Sequence, residues 1–166
     1  MLSLSLSANR SDRALIRDLK TVREQLSAVV IHPGSKRPEL RHLHSLIGRA
    51  IFIRYLEDRE ILLPSYYENI ASRRKEWGRL LAQAPSAPAL EPRLAENRFL
   101  RVLQNKEFTY ALFEQMAVDF NGDTFPIDDE EQDRIQQEHL DKLRGFLLGS
   151  TSQQGELFFF AYRFDS

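Results

Sequence analysis

Residues 39–62 read ELRHLHSLIGRAIFIRYLEDREIL, and this stretch decides the fold. Apolar side chains recur there at three- and four-residue steps, so that Leu40, Leu43, Ile47, Ile51 and Leu62 share one side of a helix. Leu46, Ala50, Ile53 and Leu56 widen that side, and mainly Ser45, Arg49 and Arg59 remain opposite. A helix apolar over so much of its circumference has to be wrapped by others. The spacing therefore predicts the central helix of a mainly α, bundle-like domain, stopped by Pro64.

Upstream, Ser11 or Asp12 can cap a helix whose stripe is Leu15, Leu19, Val22, Leu26 and Val29, and Pro33-Gly34 ends it before a basic turn over 35–38. Downstream, 64–70 reads as a short turn carrying Tyr66 and Tyr67, followed by a basic helical piece around Arg73, Arg74, Lys75 and Trp77. Residues 84–96 begin APSAPALEP, a Pro/Ala linker, because its prolines disfavour helix and extend the chain. It divides the expected organisation into a basic helical subdomain, 1–83, and an acidic one, 97–166. In the second, Asn97 can cap a short helix through Leu103. Thr109 can cap another with the stripe Leu112, Phe113, Met116, Ala117 and Phe120, and Asp128 opens an acidic helix start leading to Leu140, Leu143 and Leu147. The last run, 157–164, has strand character and is expected to pair with a sheet outside this chain. Its apolar members Leu157, Phe158, Phe159, Phe160, Tyr162 and Phe164 are the candidate partner-binding residues.

Composition narrows the class of protein. With 166 residues and 42% hydrophobic content the chain can build one real core, and with no cysteine it has neither disulfides nor thiolate chemistry, which fits a reducing, cytoplasmic setting. The start, MLSLSLSANR, lacks the pattern of a signal peptide, and no stretch approaches the roughly 20 apolar residues of a membrane span, so neither export nor membrane insertion is expected. Charge is polarised: residues 1–83 hold 15 Lys and Arg against 9 Asp and Glu, whereas 84–166 hold 8 against 15. A basic half can face phosphates or an acidic surface. The candidates for DNA contact are Arg49 and Arg59 on the outer side of the central helix and the dense cluster Arg73, Arg74 and Lys75. Arg54 lies nearer the apolar face, within helical reach of Glu57 and Asp58, and reads as half of an intrahelical ion pair.

No catalytic or metal site assembles. Asp119, Asn121, Asp123 and Glu130 have the 1, 3, 5, 12 spacing of a calcium loop, but Thr124 stands where the glycine belongs, and a turn followed by an acidic helix cap accounts for the same residues. His32, His42, His44 and His139 contain no i, i+4 pair, and no cysteine completes a zinc site. The chain has no glycine-rich phosphate loop, no GxSxG elbow and no tetrapeptide of the (N/D)PP(Y/F) kind.

Two stretches carry a family likeness: HSLIGRAIFIRYLEDREIL, 44–62, and YALFEQMAVDFNGDTFPIDDEE, 110–131. They resemble the helical region upstream of the catalytic domain in adenine-specific DNA methyltransferases of bacterial restriction-modification and phage-defence systems. A helix ending LLG and the segment FFFAYRF follow in the same order. The resemblance implies that a methyltransferase domain, using S-adenosylmethionine to methylate N6 of adenine, is this region's partner in the same or a separate chain, with double-stranded DNA as a further partner. It also implies that no cofactor binds within this chain, which is then a fragment or the product of a split gene, and no family catalytic residue transfers to any position here. The expectation is a helical connector, non-catalytic by itself. The alternatives are a stand-alone helical interaction or regulatory module that uses 157–164 to add a strand to a partner's sheet, and, behind it, a calcium-dependent or hydrolytic enzyme built on the acidic stretch from Asp119 to Glu130.

Overall fold

The computed structural model describes residues 17–83, 98–120 and 126–148, and all regular structure among them is helical. Helix α1 covers 17–27 and α2 is Leu40–Asp58. They are followed by α3, Pro64–Ala71, α4, Lys75–Ala82, and α5, Arg98–Val102. The chain continues with α6, Lys106–Asp119, α7, Asp129–Arg134, and α8, Gln137–Leu148. The linker 84–96 and the expected strand 157–164 lie outside the described residues, as does Asn97.

Helix α2 is central, as its wide apolar face requires. Leu43, Leu46, Ile47, Ala50, Ile53 and Leu56 are all buried, and they join Val22 and Leu26 of α1 in a core that continues through Phe99, Phe108, Leu112, Phe113, Leu140, Leu143 and Leu147. Residues on both sides of 84–96 therefore share one core. Helix α5 packs on α4, α6 and α8, and Arg101 of α5 donates to the Leu81 carbonyl of α4. Aromatic contacts bind the layers further. Trp77 of α4 stacks on Phe108 of α6 with ring centres 4.9 Å apart, and Phe52 of α2 meets Phe120 edge to face at 6.1 Å.

Several elements depart from the sequence reading. The segment expected as a turn over 64–70 is a helix, because Pro64 sits at the first helical position, where a missing N–H costs nothing. Thr109 is not a cap. Asn105 caps α6 by accepting the Phe108 N–H at 2.9 Å, while the buried Thr109 hydroxyl bonds the carbonyls of Val102 and Asn105 inside the first turn. The acidic helix start is a separate short helix, α7, capped by Asp128, whose carboxylate accepts the Glu130 N–H, and it ends before Ile135 and Gln136. Helix α2 itself stops at Asp58, well before Pro64. Its end is a Schellman closure: Glu60 adopts φ 57°, the Ile61 N–H reaches the Leu56 carbonyl at 2.9 Å, and the Glu60 N–H reaches Glu57 at 3.0 Å.

Candidate functional site

The first surprise lies in α2. Arg49, expected on its outer side as a DNA contact, is only 3% exposed. Its place on the helical wheel is opposite the broad apolar face, but α6 and α7 cover that side too. Its Nη2 donates to the carboxylate of Glu131, itself 1% exposed, and the same oxygen accepts the Tyr110 hydroxyl at 2.7 Å. The guanidinium carbon stands 4.8 Å from the Phe113 ring centre. Burial, reinforced by the neighbouring Glu131 charge, pushes the Tyr110 hydroxyl well above its usual pKa, so it stays a neutral donor. Arg49 Nε and Nη1 have no hydrogen-bond partner among the described residues, and the adjoining cleft, walled by Phe52, Ile53, Phe113, Met116, Ala117 and Phe120, measures about 20 Å³. That is the room of about one water molecule, so the group is a structural pair within the core. Arg49 cannot reach a phosphate from there.

A second charged group joins the starts of α2 and α7. Arg41 donates to Glu39 at 2.8 Å, to Glu130 at 3.1 Å and to Asp128, while Arg134 reaches Glu39 at 3.3 Å and Glu130 at 3.5 Å. The Arg41 hydrogen bond holds the Glu39 carboxyl below its ordinary range, and the Glu130 N–H, helped by Arg41, does the same for Asp128. Buried His42 completes the cluster, with Nε2 3.6 Å from Asp128. His42, Asp128 and Glu130 bring three potential metal-ligand atoms within 4.8 Å of one another. The hydrogen bonding argues against a metal. His42 Nδ1 accepts the Glu39 N–H at 3.0 Å, so a neutral ring carries its proton on Nε2, the atom that would have to ligate. Arg41 already takes both carboxylates. The cluster is a clamp between two helix N-termini.

The same backbone device recurs in α8, where His139 Nδ1 accepts the Gln136 N–H at 2.9 Å. Burial lowers the pKa of His139, so the neutral ring is the form that fits. Of the remaining histidines, His32 faces Glu138 at 3.2 Å and His44 is exposed. Asp119, first residue of the calcium-like spacing, accepts from Tyr66 at 2.8 Å and from Gln115 at 3.1 Å. Asn121 and Asp123 lie outside the described residues.

The remaining DNA candidates are on the surface. Arg59 is exposed and stands over the Tyr55 ring. Arg73 donates to Gln115 at 2.8 Å, Arg74 faces Glu107 at 3.5 Å and Glu76 at 3.9 Å and covers Trp77, and Lys75 opens α4. Arg73, Arg74 and Lys75 thus stay together at the α3–α4 junction. Exposed pairs of this kind contribute about 0–1 kcal/mol and exchange readily for another anion. Arg54 is buried beside Glu57, whose enclosed carboxyl is pushed up to about 7 by burial against the pull of Arg54. Sequence reasoning missed Glu131, Tyr110 and Arg41 because their partners are about 20 to 90 residues away in the chain. The E-x-x-H and Q-x-x-H pairs at 39–42 and 136–139 were the available signal.

Comparison with known proteins gives no match: no family model, no curated protein and no solved structure corresponds to this chain. Among the described residues no helix is long and apolar enough to cross a membrane.

Proposed function

We propose that this chain is the helical connector of an adenine-specific DNA methyltransferase acting in restriction-modification or phage defence, without catalysis of its own. The observation that supports this reading is that its two family-like stretches form one physical unit. The first supplies most of α2 and the second most of α6 and the first half of α7, and they are joined by the buried Arg49–Glu131–Tyr110 group and by Phe52 against Phe120. In this reading the catalytic domain, with its S-adenosylmethionine, attaches where the aromatic run 157–164 pairs with its sheet. Arg59, Arg73, Arg74 and Lys75 then guide duplex DNA toward it.

Two measurements in the native host test the connector. Deleting the gene segment should lower N6-methyladenine in genomic DNA, read by long-read sequencing, and affinity capture of the full chain should recover an adenine methyltransferase, fused or separate. Unchanged methylation together with capture lacking any methyltransferase would remove the reading.

A further inference from the structure

Lys20, Arg23 and His44 differ from the paired arginines described above. Arg41, Arg49, Arg73, Arg74 and Arg134 all have carboxylate or amide partners, whereas these three make no ion pair or side-chain hydrogen bond among the described residues. They rim a groove of about 370 Å³ between α1 and α2. Its floor is apolar: Leu19 from α1, and Ile47 and Ile51 from α2, with Gly48 also in the lining. On α2 the groove runs from His44 to Ile51, about 10 Å at the helical rise, or two turns.

We infer that this groove docks an acidic amphipathic helix of a partner protein. A duplex phosphate backbone would satisfy the three basic groups but would leave Leu19 and Ile51 facing water. A purely apolar helix would cover the floor and leave the Lys20 and Arg23 cations uncompensated at its edge. An amphipathic helix with apolar anchors at i, i+3 or i+4, and i+7 spans two turns, as the groove does, and flanking Asp or Glu side chains meet the rim. The open side of the groove suits a helix lying along it. This interaction is independent of the methyltransferase reading and survives its failure.

The test uses the full chain and three fluorescein-labelled synthetic helices followed by anisotropy: one with Leu anchors flanked by Glu, one with the same anchors flanked by Lys, and one with Ser in place of Leu and the Glu retained. The Glu-flanked helix should bind saturably and the other two at least about tenfold more weakly, since each loses one of the two contributions. The surface double variant Lys20→Glu/Arg23→Glu, its fold verified by circular dichroism, should reverse the preference toward the Lys-flanked helix. Ile51→Glu, which puts a charge on the apolar floor, should abolish binding of the Glu-flanked helix. The inference is overturned if no helix binds, if the Ser version binds as well as the Leu version, if the double variant keeps the original preference, or if duplex DNA or dodecanoate displaces the helix at equal concentration.

Discussion

Arg49 shows what a single buried charge commits a fold to. Its guanidinium and the Glu131 carboxylate are both almost fully enclosed, so each depends on the other to offset desolvation. Removing one partner leaves the other uncompensated, which typically costs about 3–5 kcal/mol, while replacing both with apolar groups of similar volume costs far less. Urea titration of Arg49→Met, Glu131→Leu and the double variant should therefore show strong non-additivity, with the double variant more stable than at least one single. Additive losses would mean that the two charges do not act as a pair. Glu57 makes a different commitment. Its carboxyl, raised to about 7 from an ordinary 4.5, is protonated more readily in the folded chain than in the unfolded one. The folded state thus holds the extra proton between those values, and stability is lost as pH rises from about 4.5 to 7. Glu57→Gln removes that slope, so the variant should gain on wild type across this window, by on the order of 2 kcal/mol after discounting for the partial exposure of the residue. His139, with a lowered pKa, contributes the opposite slope and loses stability as pH falls below about 6.5. Subtracting the two denaturation curves cancels His139 and isolates Glu57.

At the scale of the element, the end of α2 offers the clearest intervention. The Schellman closure needs a left-handed residue, and a glutamate fills it at φ 57° with no glycine's freedom. Glu60→Gly should raise stability by about 0.5–1 kcal/mol, seen as a higher midpoint in thermal or urea unfolding. A lower midpoint would mean that the exposed Glu60 side chain contributes more than its backbone conformation costs. This closure also shows where sequence reading stops. Helix α2 was legible because eight of its apolar positions repeat at helical steps, and α6 and α8 were legible for the same reason. The end of α2 was not, since Pro64 looked like the stop and nothing local marks Glu60 as left-handed. Likewise Thr109 and Asn105 are both good caps by residue type. Which one serves depends on Val102, whose carbonyl draws the Thr109 hydroxyl into the turn. Of the candidate contacts, Arg73, Arg74 and Lys75 were legible as a dense cluster. Arg49 was misjudged because a helical wheel shows which residues are polar, and not that two further helices cover the polar side.

For the molecule as a whole, the decisive quantity is how its basic half meets salt. In the connector reading, Arg73, Arg74 and Lys75 approach phosphates at the α3–α4 junction, and each phosphate they neutralise releases condensed counterions. The logarithm of duplex affinity then falls linearly with the logarithm of salt concentration, by about 0.9 per phosphate. Arg74 must first leave Glu76 and Glu107, an exchange of surface pairs that costs little. The triple variant Arg73→Glu/Arg74→Glu/Lys75→Glu should thus weaken binding to unrelated duplex sequences about equally and flatten the salt slope by about three. Arg49→Met, by contrast, should leave the slope unchanged at any salt where the variant is folded, because a residue 3% exposed releases no counterions. The control for stability is the clamp of Arg41 and Arg134 on Glu39, Asp128 and Glu130, which is remote in sequence from the triple change and should keep the unfolding midpoint near wild type. A salt slope indifferent to the triple variant, measured by anisotropy on a labelled duplex, would remove DNA from this surface and leave the α1–α2 groove as its main site of interaction.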